Sequence, residues 1–543
     1  MDFRVPGSNP NASIAVLDWS MSEHRHLLRS ASVISAATIL SRVFGYIRDS
    51  RVAFLLGAGT ANDAYTVAYL IPNLLRRLVG EGAVSAVFIP VFSRYLAEDE
   101  KKEAWQFANV MLTMISIFLT AITVLGIIFS PLLVSLFAAG FSDTPGKLEL
   151  TATLNRIMFP YIFLVSLSAL MMGILNSLQE FAAPAFAPVL LNLTVIAFSF
   201  LGGLFGDVTK ALAAGVVVGG VAQIAIQVPP LLRSGWKVQP KLNLLHAGVQ
   251  RVFKLMVPVI FGVGVVQVNI LVDSQFASHL DEGSVTSIYI ANRVMELVLG
   301  GYAVAVSTVI LPLLSLQAAQ KRLDEMKRTL NFATRLILFI TLPSSAGLML
   351  LRHQIIEVLF QHGDFNAGST ALTSWALLFF APGLSAFSVV KIIVPAFYAL
   401  QDTRTPVMIA LIAMFLNIGL NLVFIRPLQN GGPALATSIS AFFNGLLLMG
   451  IFYKRHGSFG MRSIAQSILK FAIASAALAV VVYVLIHWPG FYAGGIIRKA
   501  VALAVTIAAA VGTYFMTAFL LRSSELAELR SVHRTQREDL HAG

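Results

Sequence analysis

The chain has 543 residues, of which 57% are hydrophobic and only 12% charged, and its mean hydropathy is +0.78. A soluble domain carries about a quarter charged residues, so this composition belongs to a polytopic membrane protein. The net charge of +12 fits basic loops that fix topology and meet anionic lipid headgroups, without calling for nucleic acid; zero cysteines exclude disulfides, thiolate metal sites and a cysteine nucleophile.

Taken in chain order, residues 1–28 are mixed and polar, with Asp2, Pro6, Pro10, Asp18 and Glu23 where a signal peptide needs an apolar core. They read as a short cytoplasmic arm with no cleaved leader. A helix needs about 20 apolar residues to cross the hydrocarbon, and about fourteen such stretches follow, from one near 31–56 to one near 495–521. The expectation is an all-α fold of about fourteen transmembrane helices.

Loop charge orients these helices. The connection with Arg233, Lys237, Lys241, Arg251 and Lys254 has no acid, nor has the one with Lys454, Arg455 and Arg462. In a third, Lys321, Arg322, Lys327 and Arg328 outnumber Asp324 and Glu325. All three follow even-numbered helices and so share the cytoplasmic side, whereas near-neutral loops such as that with Arg352, Glu357 and Asp364 fall outside. An even count puts both termini in the cytoplasm.

The chain also repeats itself. Pro90 and Ser93 recur as Pro312 and Ser315, Pro160 as Pro382, and Gln179-Glu180 with Pro184 as Gln401-Asp402 with Pro406, each 222 residues on. Asp49-Ser50 with Ala53 matches Asp273-Ser274 with Ala277 after a two-residue slip. Six helices separate the copies, so they share one orientation and form a parallel repeat, an architecture of secondary transporters with the substrate site between lobes near mid-depth. The expected organisation is an arm over 1–28, a first lobe over 29–235, a second over 236–456, two C-terminal helices over 457–522 and a cytoplasmic tail over 523–543.

The first two spans carry charges that a bilayer penalises by at least about 2.5 kcal/mol each, so they point to a cavity for an anion. In the first, Arg42 and Asp49 share a helix face, while Arg48 and Arg51 lie elsewhere and either line the cavity, snorkel, or pair with Asp49 or Asp63. In the second, Asn73, Arg77 and Glu81 form an i, i+4, i+8 stripe in which Glu81 can neutralise Arg77, leaving Arg76 the freer cation. At the repeat's slipped offset Arg42, Arg48 and Arg51 correspond to Val266, Val272 and Gln275, the region opposite Arg76 and Arg77 reads VLGG, and the second copy instead carries Arg293 and Glu296, an i, i+3 pair.

A different set marks the second copy: Asp273, Asn417 and Asn421 at i, i+4, and Thr437. A carboxylate with amide and hydroxyl oxygens suits a hard cation such as Na⁺, or exchanges H⁺; the same residues also serve as ordinary interhelical hydrogen bonds. No phosphate-binding GxxxxGK[ST] loop and no HExxH motif is present, His353, His362 and His456 lie at edges or loops, and no base–nucleophile pair stands out. An enzyme is therefore disfavoured, and no organic cofactor is called for.

The motifs SRVFGYIRD (41–49), NDAY (62–65), PNLLRR with EGA (72–83), ILN (174–176), PAFAP (184–188), NRVMEL (292–297) and VPAFYALQDTRTP (394–406) resemble those of the MurJ (MviN) family. These are the lipid II flippases of the multidrug/oligosaccharidyl-lipid/polysaccharide exporter superfamily, and the likeness runs from about Ser30 to Arg522. The family's essential charges match Arg42, Arg48, Asp63, Arg76, Arg77, Arg293 and Glu296. The resemblance implies export of an undecaprenyl-diphosphate-linked peptidoglycan precursor across the bacterial inner membrane, with the last two helices forming a lipid-tail groove. The 28-residue arm departs from the family's pattern.

The residues and the resemblance together give an expected mechanism of alternating access. Arg42, Arg76 and Arg293 hold the diphosphate with Asn73 nearby, Arg48 and Arg77 shape the potential, and Asp49, Asp63, Glu81 and Glu296 act as gates or counter-charges. Membrane potential resets the cycle, with or without a cation at Asp273. The rival readings are a drug/cation antiporter, a flippase for another polyprenyl-linked oligosaccharide, and a non-transporting scaffold for wall-synthesis proteins.

Overall fold

The computed structural model describes residues 10–77, 85–98, 101–243 and 245–526, and all regular structure among them is helical. Hydrocarbon offers no hydrogen-bond partners, so apolar stretches of this length must satisfy their own backbone, which an α-helix does. In the first half run α1 (Pro10–Leu56), α2 (Thr60–Arg76), α3 (Ser85–Ala97), α4 (Lys101–Ile128), α5 (Ser130–Phe137), α6 (Lys147–Met158), α7 (Pro160–Ser177), α8 (Ala182–Phe198), α9 (Gly202–Phe205) and α10 (Val208–Arg233). In the second run α11 (Ala247–Ser278), α12 (Ser284–Ala319), α13 (Leu323–Phe360), α14 (Ala367–Phe380), α15 (Gly383–Ala399), α16 (Arg404–Leu428) and α17 (Gly431–His456), followed by α18 (Met461–His487) and α19 (Ile496–Leu520).

The repeat is built into these boundaries. α4 and α13 begin 222 residues apart, as do α8 and α16, while α10 and α17 begin one residue off that offset. Pro160 opens α7 and Pro382 directly precedes α15, at the points where α6 gives way to α7 and α14 to α15. Proline cannot donate to the preceding turn, which explains these breaks, and the α14–α15 pair bends by 45°. Gln179 and Gln401 both take left-handed backbone, with φ of 64° and 61°, and close the same turn: Glu180 N to Leu175 O and Asp402 N to Phe397 O, each 2.9 Å. A glutamine in that region is strained by roughly 1–2 kcal/mol, so its recurrence marks a geometry both copies need.

The arm expected over 1–28 is helical from Pro10, in one run with the first span. Of the span expected near 61–92, the described parts, α2 and α3, are helical, and residues 78–84 lie outside the described ones. Among the described residues, eight helices are long and apolar enough to cross a membrane, or nine with the bent α14–α15 pair, so the full fourteen are not reached by length and apolarity alone.

Packing divides the chain into two compact units, one of residues 1–51, 69–130 and 153–261, the other of 52–68, 131–152 and 262–543. In the first, α7, α8 and α10 form the centre, and Gly215, Gly219 and Gly220 let α10 approach them closely: a Cβ at Gly219 would meet Leu191 Cδ1 at 2.6 Å. Stacked Phe88, Phe92 and Phe107 join α3 to α4. In the second unit α16 packs on α17, and α12, α13 and α15 on one another. The last two helices lie outside the repeat but are part of this unit: Phe339 of α13 packs edge-on against Phe471 of α18 and Phe515 of α19. Their outer faces carry exposed Leu469, Val480, Ile497 and Val501, as lipid-facing helices do.

Candidate functional site

Arg42 projects from α1 into an exposed position and has no hydrogen-bond or ion-pair partner among the described residues. One and a half turns on, Arg48 is only 6% exposed and is held by its neighbour: Nη2 and Nε donate to Asp49 Oδ1 at 2.6 and 3.0 Å, and Nη1 to Tyr69 Oη at 3.4 Å. Asp49 is thus engaged by Arg48, although the helix pattern places it on the Arg42 face. Arg51 stacks its guanidinium 4.5 Å over Phe200 and donates to Ser199 Oγ at the end of α8, a partner that sequence spacing does not reveal.

On α2, Arg76 has a partner that the charge spacing did not indicate. Arg76, read as the freer cation, donates from Nε to Asn73 Oδ1 at 2.8 Å across one turn. Arg77 is half-buried and has no partner among the described residues, and the Glu81 expected to neutralise it lies outside them. A short amide side chain three residues away can bend back to the Nε of Arg76, which an i, i+4 stripe count overlooks.

In the second unit, Asp63 of α2 is almost fully buried and fully satisfied. Its Oδ2 accepts from Lys147 Nζ and Gly283 N, both at 2.8 Å, and its Oδ1 from Thr286 N at 2.9 Å and Thr286 Oγ1 at 2.7 Å. The carboxylate therefore caps the first turn of α12, whose exposed N–H groups and dipole favour an anion there. Lys147 also lies 4.3 Å over the Phe141 ring. Arg293 and Glu296, farther along α12, form a looser pair at 3.4 Å with side chains 39% and 42% exposed.

The four residues proposed for a cation converge. Thr437 Oγ1 donates to Asp273 Oδ2 at 3.0 Å and Asn421 Nδ2 to Asp273 Oδ1 at 3.3 Å. Asn417, with its amide nitrogen assigned to the carboxylate side, reaches Asp273 Oδ1 at 3.3 Å while its oxygen faces Thr437 N at 3.3 Å. Both asparagines are wholly buried, and Asn421 Oδ1 has no hydrogen-bond partner among the described residues. That spare oxygen, with the carboxylate and hydroxyl, is a donor set that a hard cation accepts. No group of three or more His, Cys, Asp or Glu side chains suited to a metal occurs among the described residues.

Comparison with known proteins gives a consistent picture. The family model described as lipid II flippase MurJ matches residues 52–499. The chain is 35% identical over 517 residues to the probable lipid II flippase MurJ of Vibrio cholerae serotype O1, covering 93% of this chain and 98% of the other. It is 35% identical over 460 residues to that of Haemophilus influenzae, covering 82% and 90%. Among solved structures, a lipid II flippase MurJ in an inward closed conformation matches with a TM-score of 0.75 and 27% identity over 90% of this chain and 98% of that one. An inward-facing multidrug transporter of the MATE family matches with a TM-score of 0.62 at 14% identity, over 80% and 98%, a likeness of fold alone.

Proposed function

The chain belongs to the MurJ family of lipid II flippases, and on that premise we propose that it carries lipid II, the undecaprenyl-diphosphate-linked peptidoglycan precursor, from the inner to the outer leaflet of the bacterial cytoplasmic membrane. It is a transporter and not an enzyme. The observation that carries the reading is Arg42, an exposed guanidinium without a partner among the described residues on α1, where the first span is expected. A diphosphate meets a guanidinium through charge-assisted, often bidentate hydrogen bonds, which compensate the cost of keeping the charge at that depth.

In this reading Arg42, Arg76 and Arg293 bind the diphosphate during alternating access, with Asn73 setting the direction of Arg76. Arg48 and Arg77 shape the potential, and Glu296 is the counter-charge that Arg293 leaves when the anion arrives. Asp63 acts as a gate residue because three of its four hydrogen bonds join α2 to the start of α12 and must break if those segments part. The α18–α19 pair offers the apolar surface for the polyprenyl tail. Both termini lie in the cytoplasm, and the cycle is reset by membrane potential, aided by a cation or proton at Asp273, Asn417, Asn421 and Thr437.

The test is Arg42→Ala in a strain depleted of its own flippase. We expect normal membrane abundance with lost complementation; full complementation ends the headgroup role of Arg42. The cation role is separate: flipping that is unchanged both on Na⁺ removal and in Asp273→Asn removes it. Drug-efflux assays on a deletion strain separate the antiporter reading, which calls for acidic groups where this chain has Arg42, Arg76 and Arg77.

A further inference from the structure

We propose that the outer face of α4 and the connection that follows α10 form a binding site for an anionic phospholipid of the cytoplasmic leaflet. The connection is laid along α4 through its backbone. Asn109 Nδ2 donates to Lys237 O at 2.9 Å, Asn109 Oδ1 accepts from Gln239 N at 3.2 Å, and Thr113 Oγ1 accepts from Lys241 N at 3.0 Å. Trp236 Nε1 donates to the same Asn109 oxygen at 3.0 Å and is buried at one end of this strap, as His246 is at the other. Between these anchors Lys237, Val238, Lys241, Leu242 and Leu245 are all exposed.

The second copy makes the same connection 222 residues on. Gly235 and Gly457 both take left-handed backbone, with φ of 87° and 83°. Asn331 Nδ2 donates to Phe459 O at 3.0 Å as Asn109 does to Lys237 O, and Arg335 Nη1 donates to Ser463 Oγ at 3.1 Å where Thr113 holds Lys241. From there the copies part. The second turns directly into α18, which covers α13, so that Phe339 is 1% and Ile464 3% exposed. The first continues as irregular chain, and the counterparts of those two residues, Ile117 and Leu242, are 57% and 67% exposed. Ile117 opens an exposed apolar run on α4 with Phe118, Val124, Leu125 and Ile128. The face that a helix covers in one copy is thus bare in the other.

Level and charge decide the occupant. Thr113 is four residues from Ile117, roughly 6 Å along α4, which is about the depth of one headgroup layer. Lys241 is therefore held beside the phosphates while Ile117 meets the first methylenes, and the hydrocarbon of one leaflet, roughly 15 Å deep, covers about ten residues of α4 from there. No acid occurs from Arg233 to Lys254. The one acid of α4, Glu103, lies six residues beyond Asn109 toward the helix start, with its Oε1 3.2 Å from His246 Nε2. A phosphodiester with acyl chains fits both halves of the site: Lys237 and Lys241 take the phosphate as point charges, and Leu242 with the α4 face takes the chains. A zwitterionic lipid brings an ammonium of its own against these lysines, and a partner's transmembrane helix has no use for them.

The experiment uses the purified full chain in detergent micelles, titrated with phosphatidylglycerol and, as the zwitterionic control, phosphatidylcholine. Because the chain has no cysteine, Gln239→Cys carrying an environment-sensitive fluorophore reports on this site alone. Phosphatidylglycerol should bind about thirtyfold more tightly than phosphatidylcholine, the factor expected of two lysines near an anionic surface. Lys237→Gln with Lys241→Gln should bring the two lipids level; both residues hold the strap through backbone groups, which glutamine keeps. Lys321→Gln with Arg322→Gln, in the basic connection before α13, should leave the preference unchanged. A preference that survives the first double variant, or falls equally in the second, overturns the site. So does a reporter that ignores both lipids and responds to protein concentration, which assigns the face to a second copy of the chain.

Discussion

Lys147 Nζ stands 2.8 Å from Asp63 Oδ2 with both side chains almost wholly buried, 4% and 1% exposed. Removing one partner of such a pair leaves an uncompensated buried charge, which costs about 3–5 kcal/mol. Lys147→Ala should therefore lower the unfolding midpoint of the purified protein clearly. The double variant Lys147→Ala with Asp63→Asn should recover part of the loss, because the neutral amide no longer needs a counter-ion and can still accept from Thr286. A double variant no more stable than Lys147→Ala means the pair is not coupled.

Three glycines in the same unit hold backbone close to backbone. Gly57 has φ of +59° and a Cβ there would lie 2.6 Å from Asp364 O, while Gly283 (φ +85°) and Gly363 (φ +59°) face the carbonyls of Ala58 and Phe54. Alanine at Gly57 or Gly283 meets a left-handed backbone, at roughly 1–2 kcal/mol, and in addition a carbonyl that cannot move aside. Gly59, two residues away, has open space where its Cβ would be. We expect Gly57→Ala and Gly283→Ala to lose stability and complementation and Gly59→Ala to keep both, with thermal unfolding and growth of the depleted strain as the measurements. Equal behaviour of all three variants contradicts the contact.

The repeat was legible in the sequence because it is written in residues with backbone consequences. Pro160 and Pro382 break helices, and Gln179-Glu180 and Gln401-Asp402 close left-handed turns, so matching letters meant matching geometry. The Asp273 set was legible for a similar reason, since Asn417 and Asn421 are one turn apart on a single helix. Partners brought together by tertiary packing left no such trace. Lys147 sits 84 residues from Asp63 on a stretch between two expected spans, and Arg51 finds Phe200 at a helix end 149 residues on. Glu525, in the stretch expected as cytoplasmic tail, is 1% exposed and bound by three side chains. Charge spacing within one helix cannot anticipate any of these.

Asp402 offers a test of pH. Burial pushes its carboxyl upward, but hydrogen bonds from the Thr405 hydroxyl and amide together with the Arg455 guanidinium outweigh it and hold the group below the usual carboxylate range. A lowered folded pKa contributes stability that is present above the unfolded value and is lost as pH falls through the folded one. The wild-type advantage over Asp402→Ala should thus be about 1 kcal/mol at neutral pH, typical of a helix cap, and should shrink below about pH 4. Unfolding midpoints of the two proteins across that range decide it; a difference that grows on acidification contradicts the assignment.

The last two helices are fastened to α13 at both ends, which bears on how the groove proposed for the lipid tail behaves during transport. Lys499 Nζ at the start of α19 meets Glu357 Oε1 at 2.5 Å. Tyr514 Oη donates to Phe339 O at 2.7 Å in the middle, and beyond the end of α19 Arg335 Nε meets Glu525 Oε1 at 2.9 Å. Glu525 also accepts from Ser467 Oγ of α18 and from Ser523 Oγ, so one carboxylate ties α13, α18 and the segment after α19 together. Glu525→Ala should remove the carboxylate beside Arg335 and cost a few kcal/mol, more than Lys499→Ala at the more accessible end. If α19 moves as one body with α13, a disulfide introduced between these helices should leave flipping unimpaired in oxidised vesicles. Loss of flipping on oxidation, regained on reduction, means that the two helices part during the cycle and that these bonds are broken and remade at each turnover.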